Sequence, residues 1–313
     1  MKRIVFMGTP EFSVPILEQL IKDQYEVVLV VTQPDRPKGR KKLLTPPPVK
    51  LKAQELGLSV FQPEKIRNDY DTVLKTKPDL IVTAAFGQIL PTPLLEAPPF
   101  GCINVHASLL PDYRGGAPIH QAIIDGKKET GVTIMYMVEA LDAGDILTQR
   151  ALPIEERDDV GSMFEKLSLL GRDLLHDTLP QLFNQTLTPV KQDDELATYA
   201  RNITRDQEQI DWHQSNQVIY NHVRGMHPFP VASTLIDGKN MKLWRVEKDP
   251  RQTNEQPGTI IAVEKDGVIV QTKDQAIKLV DVQLAGKKRV LIKDSLNGQH
   301  PFNIGKVLGE VNE

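Results

Sequence analysis

Cysteine is nearly absent from this chain: Cys102 is the single thiol in 313 residues. That excludes an intrachain disulfide and any Cys-x-x-Cys zinc site or redox pair. Long apolar runs are missing as well. None approaches the ~20 residues a helix needs to cross a bilayer, and the stretch after Lys2 and Arg3 is too short for a secretory leader. A cytoplasmic protein is expected. Charge of one sign is also lacking, since 38 basic and 41 acidic side chains leave a net charge of −3. Any affinity for a polyanion must therefore be local. There is no Walker loop, no Gly-x-Ser-x-Gly elbow and no histidine cluster at ligand spacing, so no metal is expected. Gly8-Thr9-Pro10 stands where a dinucleotide fingerprint would need three glycines, and Pro10 has no N–H to offer a phosphate. NAD is not expected either.

What is present is an alternation. Apolar runs at Ile4–Met7, Glu26–Thr32, Asp79–Ala84, Cys102–His106 and Val132–Val138 are separated by helical periodicity at Val14–Lys22 and Val49–Leu56. Uninterrupted β-branched runs between amphipathic helices predict a doubly wound, Rossmann-like and mostly parallel α/β sheet covered on both faces. A helix over 163–183 closes it. Polar, aperiodic sequence follows. Beyond it, short alternating segments with Asp237-Gly238 and Asp266-Gly267 turns predict a small β-barrel, OB-like in size. The expected division is a catalytic domain over 1–187, a linker over 188–205 and a second domain over 206–313.

One segment carries chemistry. In Gly101-Cys102-Ile103-Asn104-Val105-His106, strand alternation puts Asn104 and His106 on one face and Ile103 and Val105 on the other. Both polar groups then lie near a strand's C-terminal end, where open α/β sheets bind ligands. Downstream, Leu141-Asp142-Ala143-Gly144-Asp145 supplies a carboxylate in a polar turn. A carboxamide and an imidazolium can hold an oxyanion while Asp142 orients the histidine or relays a proton, a set suited to acyl transfer. The plainer alternative is a satisfied core histidine beside a capping asparagine, and spacing alone leaves both open. Cys102 shares their face, as a small core residue or as a nucleophile. Arg36, Lys38, Arg40, Lys41 and Lys42 crowd a loop between a strand and a helix. Such a run is either a solvated loop or a contact for a phosphate-rich partner such as RNA. Lys287-Lys288-Arg289 is a weaker cluster of the same kind.

These residues place the chain in a recognisable company. Gly8-Thr9-Pro10-Glu11-Phe12, Thr32-Gln33-Pro34-Asp35-Arg36-Pro37, the Asn104-Val105-His106 segment with Ser108-Leu109-Leu110-Pro111, Arg114-Gly115-Gly116-Ala117-Pro118-Ile119, Gly131-Val132-Thr133-Ile134-Met135 and the Asp142 turn resemble the methionyl-tRNA formyltransferase family over essentially the whole chain. The Asn-x-His and downstream Asp pattern belongs to a wider set of folate-dependent formyltransferases. The 32–37 loop and Ile210-Asp211-Trp212 resemble the tRNA enzymes in particular. The resemblance implies 10-formyltetrahydrofolate as donor and the α-amine of methionyl initiator tRNA as acceptor. It also implies catalytic roles for Asn104, His106 and Asp142. A folate cleft is implied near Phe86, Gly87, Gln88, Ile89 and Leu90, near Ser108, Leu109, Leu110 and Pro111, and at Asp142. The 36–42 loop would enter the tRNA acceptor stem, Arg40 foremost. A monomer is expected. Glycinamide ribonucleotide or a sugar amine is the alternative acceptor, against which the basic loop and second domain argue.

Overall fold

Seven strands, five of them parallel neighbours, build the sheet that carries the candidate site. In the computed structural model, which describes residues 1–39 and 42–310, the strands in chain order are β1 (Arg3–Gly8), β2 (Glu26–Val31), β3 (Arg36–Lys38), β4 (Leu43–Thr45), β5 (Val60–Phe61), β6 (Leu80–Ala84), β7 (Cys102–His106), β8 (Glu129–Tyr136) and β9 (Ile146–Pro153). Sheet order is β5-β2-β1-β6-β7-β8-β9. The chain winds outward from β1 through β2 to β5, then returns to β6 on the other side of β1. The strand order therefore reverses between β1 and β6, the position where such sheets open a ligand crevice at the strands' C-terminal ends.

Strand composition explains this arrangement. Ile4, Val5, Phe6 and Met7, like Leu80, Ile81 and Val82, are fully enclosed, as expected where helices cover both faces of a parallel sheet. One face joins Val5, Met7, Leu29, Val31, Ile81 and Cys102 in a single apolar cluster. The other receives the helix Val160–Phe183, whose Gly171 approaches Val105 so closely that an added Cβ would lie 2.8 Å from its Cγ1.

Two features depart from the sequence expectation. First, the run at Val132–Val138 is not parallel: β8 pairs antiparallel with β7, and β9 antiparallel with β8. The short connection through the Asp142 turn permits only antiparallel pairing of β9 with β8. β9 buries one edge of its pattern and exposes the rest, so it lacks the apolar run that marked the others. Second, the expected linker over 188–205 is largely held in place. Val190 bridges Ile146, Tyr199 bridges Arg114, and Gln192 and Ala200 are buried. Its order comes from backbone and side-chain hydrogen bonds, which leave no apolar periodicity to read.

The chain divides into two compact units. The first comprises Met1–Pro118, Glu129–Pro153 and Phe164–Arg201; the second comprises Ile119–Lys128, Ile154–Met163 and Asn202–Glu313. The second unit is thus assembled from three stretches of chain rather than from the C-terminal region alone. Its strands are β10 (Ala232–Ile236), β11 (Lys239–Asp249), β12 (Ile260–Glu264), β13 (Gly267–Gln271), β14 (Ala276–Leu284) and β15 (Val290–Leu291). They form an antiparallel sheet in the order β10-β11-β14-β13-β12, with β15 on β14. Asp237 and Gly238 both adopt positive φ, 51° and 68°, the turn an Asp-Gly hairpin requires. Inside, Trp212 is 3% exposed and its indole N–H donates to Thr234 Oγ1 at 2.9 Å.

Candidate active site

Strand β7 delivers Asn104 and His106 to the sheet's C-terminal edge. Asn104 lies opposite Thr83 on one side and Met135 on the other, and His106 lies opposite Thr133. Asn104 Oδ1 accepts from the Thr83 hydroxyl at 2.8 Å, which leaves the amide Nδ2 as its available donor. His106 is buried, and its Nε2 lies 3.0 Å from the carbonyl oxygen of Tyr113. A carbonyl only accepts, so Nε2 carries a proton. Nδ1 is then the nitrogen left for chemistry, and it sits 3.8 Å from Asp142 Oδ2. That gap exceeds a direct hydrogen bond.

Asp142 occupies the turn between β8 and β9 with φ of 48°, a left-handed conformation that aspartate tolerates better than most residues. Its Oδ2 accepts from the backbone N–H of Gly115 at 2.8 Å. Gly115 must be glycine, because its φ is +118° and a Cβ would sit 2.6 Å from the Ala200 carbonyl oxygen. Gly144 is under the same constraint by contact: a Cβ there would fall 1.9 Å from the Tyr136 carbonyl oxygen. The structure thus brings Asn104, His106 and Asp142 onto one supported framework and adds Thr83, Tyr113 and Gly115, which were not singled out from sequence. The paired glycines of Arg114-Gly115-Gly116 were the signal available for the last of these.

The expected folate segments divide by burial. After β6, Phe86 and Leu90 are enclosed, Gly87 is open and Ile89 is 78% exposed. The Phe86 carbonyl accepts from Thr9 Oγ1 at 3.0 Å and Gln33 Nε2 at 3.1 Å. The loop is therefore tied to the segments that follow β1 and β2 while it presents an apolar side chain outward. After β7, the Ser108 hydroxyl donates to the Asp112 carbonyl at 2.6 Å and the Leu110 N–H to Thr133 Oγ1 at 3.1 Å. Ser108 and Leu110 are buried, whereas Leu109 and Pro111 are partly open. Ser108 and Leu110 consequently shape the turn with groups already spent on the protein. Cys102 is 1% exposed, its thiol donates to the Leu94 carbonyl at 3.1 Å, and burial pushes its pKa up to about 12. It is a core residue, inert at neutral pH. Among the described residues, no group of three or more His, Cys, Asp or Glu is placed to hold a metal ion.

The basic loop is a two-stranded hairpin, with Arg36 opposite Thr45 and Lys38 opposite Leu43. Its base is anchored where Asp35 accepts from Lys50 at 2.7 Å and from Gln62 at 2.8 Å, contacts that hold its carboxyl below the usual range. Arg36 pairs with Glu64 at 2.6 Å in the open, and Leu43 and Leu44 project into solvent. Lys42 is exposed with φ of 48°. Arg40 and Lys41 lie outside the described residues. The second unit contributes a cavity of about 600 Å³ walled by Arg157, Tyr220, Arg224, His227, Trp244 and Arg289 among others. The Arg289 guanidinium lies 4.3 Å from the Trp244 ring centre and also bonds Asp281.

Comparison with known proteins matches the chain in two contiguous segments. Residues 1–179 match the family model described as formyl transferase, and residues 202–300 match that of the formyl transferase C-terminal domain. The methionyl-tRNA formyltransferase of Geobacillus sp. (strain WCH70) is 59% identical over 317 aligned positions, covering 100% of both chains. That of Bacillus subtilis (strain 168) is 56% identical, covering 100% of this chain and 99% of the relative. Among solved structures, an N-formyltransferase from Helicobacter canadensis in complex with folinic acid and dTDP-3-aminofucose superposes with a TM-score of 0.67 at 18% identity, over 89% of this chain and 99% of that one. The methionyl-tRNA formyltransferase from Clostridium thermocellum gives 0.58 at 16% identity, over 91% and 99%. At these identities the structural matches speak for the fold.

Proposed function

Since the chain belongs to the formyl transferase family, we propose that it transfers the formyl group of 10-formyltetrahydrofolate to the α-amine of methionine on initiator tRNA. The observation that carries this reading is end-to-end identity of 55–59% to relatives named for that activity, joined to an intact Asn104, His106 and Asp142 set. A small acceptor amine is not favoured, because the likeness runs through the second unit as well as the first.

In this reading the amine nitrogen bonds to the formyl carbon, the bond from that carbon to N10 breaks, and the proton lost by the amine is returned to N10. Asn104 Nδ2 and protonated His106 Nδ1 stabilise the oxyanion of the tetrahedral intermediate. The fixed Nε2–H contact to Tyr113 keeps the ring from turning its other nitrogen inward. Asp142 holds His106 in that state and draws off the amine proton, through water across the gap between them. The donor is a substrate, and the exposed Ile89 beside the open backbone of Gly87 suits its flat ring, with Leu109 and Pro111 as further contacts. Arg36, Lys38, Arg40, Lys41 and Lys42 meet tRNA phosphates, and the arginine-lined cavity around Trp244 offers a second such surface. The enzyme works as a cytoplasmic monomer.

The test is formyl transfer from 10-formyltetrahydrofolate to methionyl initiator tRNA, with glycinamide ribonucleotide as a parallel acceptor. Transfer to the tRNA alone is expected. Transfer to the small amine alone would overturn the acceptor and keep the chemistry.

A further inference from the structure

Gln192 is buried in a stretch of irregular chain, 5% exposed, yet every polar atom of its amide is used. Its Nε2 donates to the carbonyl oxygens of Asp142 at 2.8 Å and Gly144 at 2.7 Å. Its Oε1 accepts from Arg114 Nε at 3.1 Å and Nη2 at 2.9 Å. Arg114 is itself 3% exposed, and its backbone pairs with Thr198 and Ala200 at 2.9 and 2.8 Å. The next residue along, Gly115, donates to the Asp142 carboxylate.

The amide is the side chain this position demands. One side faces two carbonyls, which only accept; the other faces a guanidinium, which only donates. A carboxylate would set lone pairs against the two carbonyls, and an ammonium would set its charge against Arg114. Gln192 therefore grips the Asp142 turn by its backbone, while Arg114 grips Gln192 and places Gly115 against the carboxylate. We propose that Gln192 is a positioning residue for the formyl transfer. Through the Asp142 turn and Arg114, it fixes the height and angle of the Asp142 carboxylate relative to His106 Nδ1. This rests on the reading of Asp142 as catalytic. A turn in a left-handed conformation, without regular structure of its own, needs such support to hold a reacting group to within a fraction of an ångström.

The test is a double-mutant cycle with Gln192→Glu and Asp142→Asn, reading kcat and KM for both substrates together with thermal stability. Gln192→Glu keeps an acceptor for Arg114 and removes the donors to the turn. It is expected to lower kcat about 10–100-fold and to leave both KM values within about twofold, since misplacement of a reacting group acts on the chemical step. In the Asp142→Asn background the same change is expected to cost less than about twofold, because there is no longer a carboxylate to misplace. Wild-type kcat in Gln192→Glu, or a full multiplicative loss in the double variant, overturns the proposal while leaving Asp142 catalytic. Wild-type kcat in Asp142→Asn alone overturns the catalytic reading itself, and the positioning role with it. The neutral Gln192→Met carries the same cycle should a buried carboxylate prevent folding.

Discussion

The Asn104–His106–Asp142 site and the 36–45 hairpin both sit in the first unit and both follow strands of one sheet, yet they are built on opposite principles. At the site, each candidate group is bonded to the protein: Asn104 to the buried Thr83, His106 to the buried Tyr113, Asp142 to the backbone of Gly115. At the hairpin, the base is anchored through Asp35, Lys50 and Gln62, while the described charges Arg36 and Lys42 are exposed. Buried hydrogen bonds fix geometry, which the chemical step needs. Exposed charges supply attraction that salt screens, which is enough to gather a polyanion and compatible with a loop that adapts to it. One region is held rigidly by buried hydrogen bonds, as the proposed chemistry requires, and the other carries solvent-facing charge, as the proposed capture of tRNA requires.

Substitutions should separate the two. The largest effect belongs to the site. Asn104→Ala or His106→Ala is expected to lower kcat by about 10²–10³ with KM for tRNA near wild type, measured by steady-state formyl transfer; an equal loss in KM alone would erase the contrast. Next is Gly144→Ala, whose Cβ must displace the Tyr136 carbonyl. A loss of about 3 kcal/mol in denaturant unfolding is expected, with kcat falling alongside as the Asp142 turn shifts. Smaller is the hairpin double variant Arg36→Ala/Lys42→Ala. It should keep kcat, raise KM for tRNA several-fold, and reduce the slope of log affinity against log salt by about 2, read from titrations across ionic strength. A drop in kcat at saturating tRNA would mean that the hairpin takes part in the chemistry.

The smallest effects lie away from both regions. Cys102, its thiol pushed up to about 12 by burial, should resist iodoacetamide at pH 8 in the folded enzyme with activity retained. His176 bonds exposed-side to Asp23 at 2.9 Å, and that carboxylate raises its pKa above the ordinary 6.5. A raised pKa means that its stabilisation is fully present below the unfolded value and is lost as pH rises through the folded one. Unfolding at pH 5.5 and pH 8.5 should therefore differ between wild type and Asp23→Asn by roughly a few tenths of a kcal/mol, the pair being open to solvent.

Much of the architecture was legible in the order of residues. The parallel strands declared themselves because burial on both faces demands apolar runs such as Val27–Val31 and Leu80–Val82. Asn104 and His106 were legible for a related reason, since a strand's period of two places alternate residues together whatever surrounds them. The antiparallel β9 and the ordered stretch around Gln192 were not. Strand β9 exposes most of its residues and so carries no apolar run, while the stretch around Gln192 is held by partners far along the chain, Arg114 and the Asp142 turn among them, and hydrogen bonds to distant groups leave no period behind. At Ser108 and Leu110, expected beside the folate cleft, the sequence does not show that the hydroxyl and the N–H are bonded to Asp112 and Thr133.

By itself, then, the sequence determined what depends on local and periodic properties. These are the sheet's composition, the shared face of Asn104 and His106, the Asp237-Gly238 turn, and the accumulation of charge over 36–42. Tertiary structure decided what depends on which distant groups meet: that His106 presents Nδ1 because the Tyr113 carbonyl holds Nε2, that Cys102 is inert because it is enclosed, and that Gln192 and Gly115 hold Asp142 in place. Periodicity is a property of neighbours along the chain. Hydrogen-bond satisfaction and burial are properties of neighbours in space, and they exist only once the chain has folded.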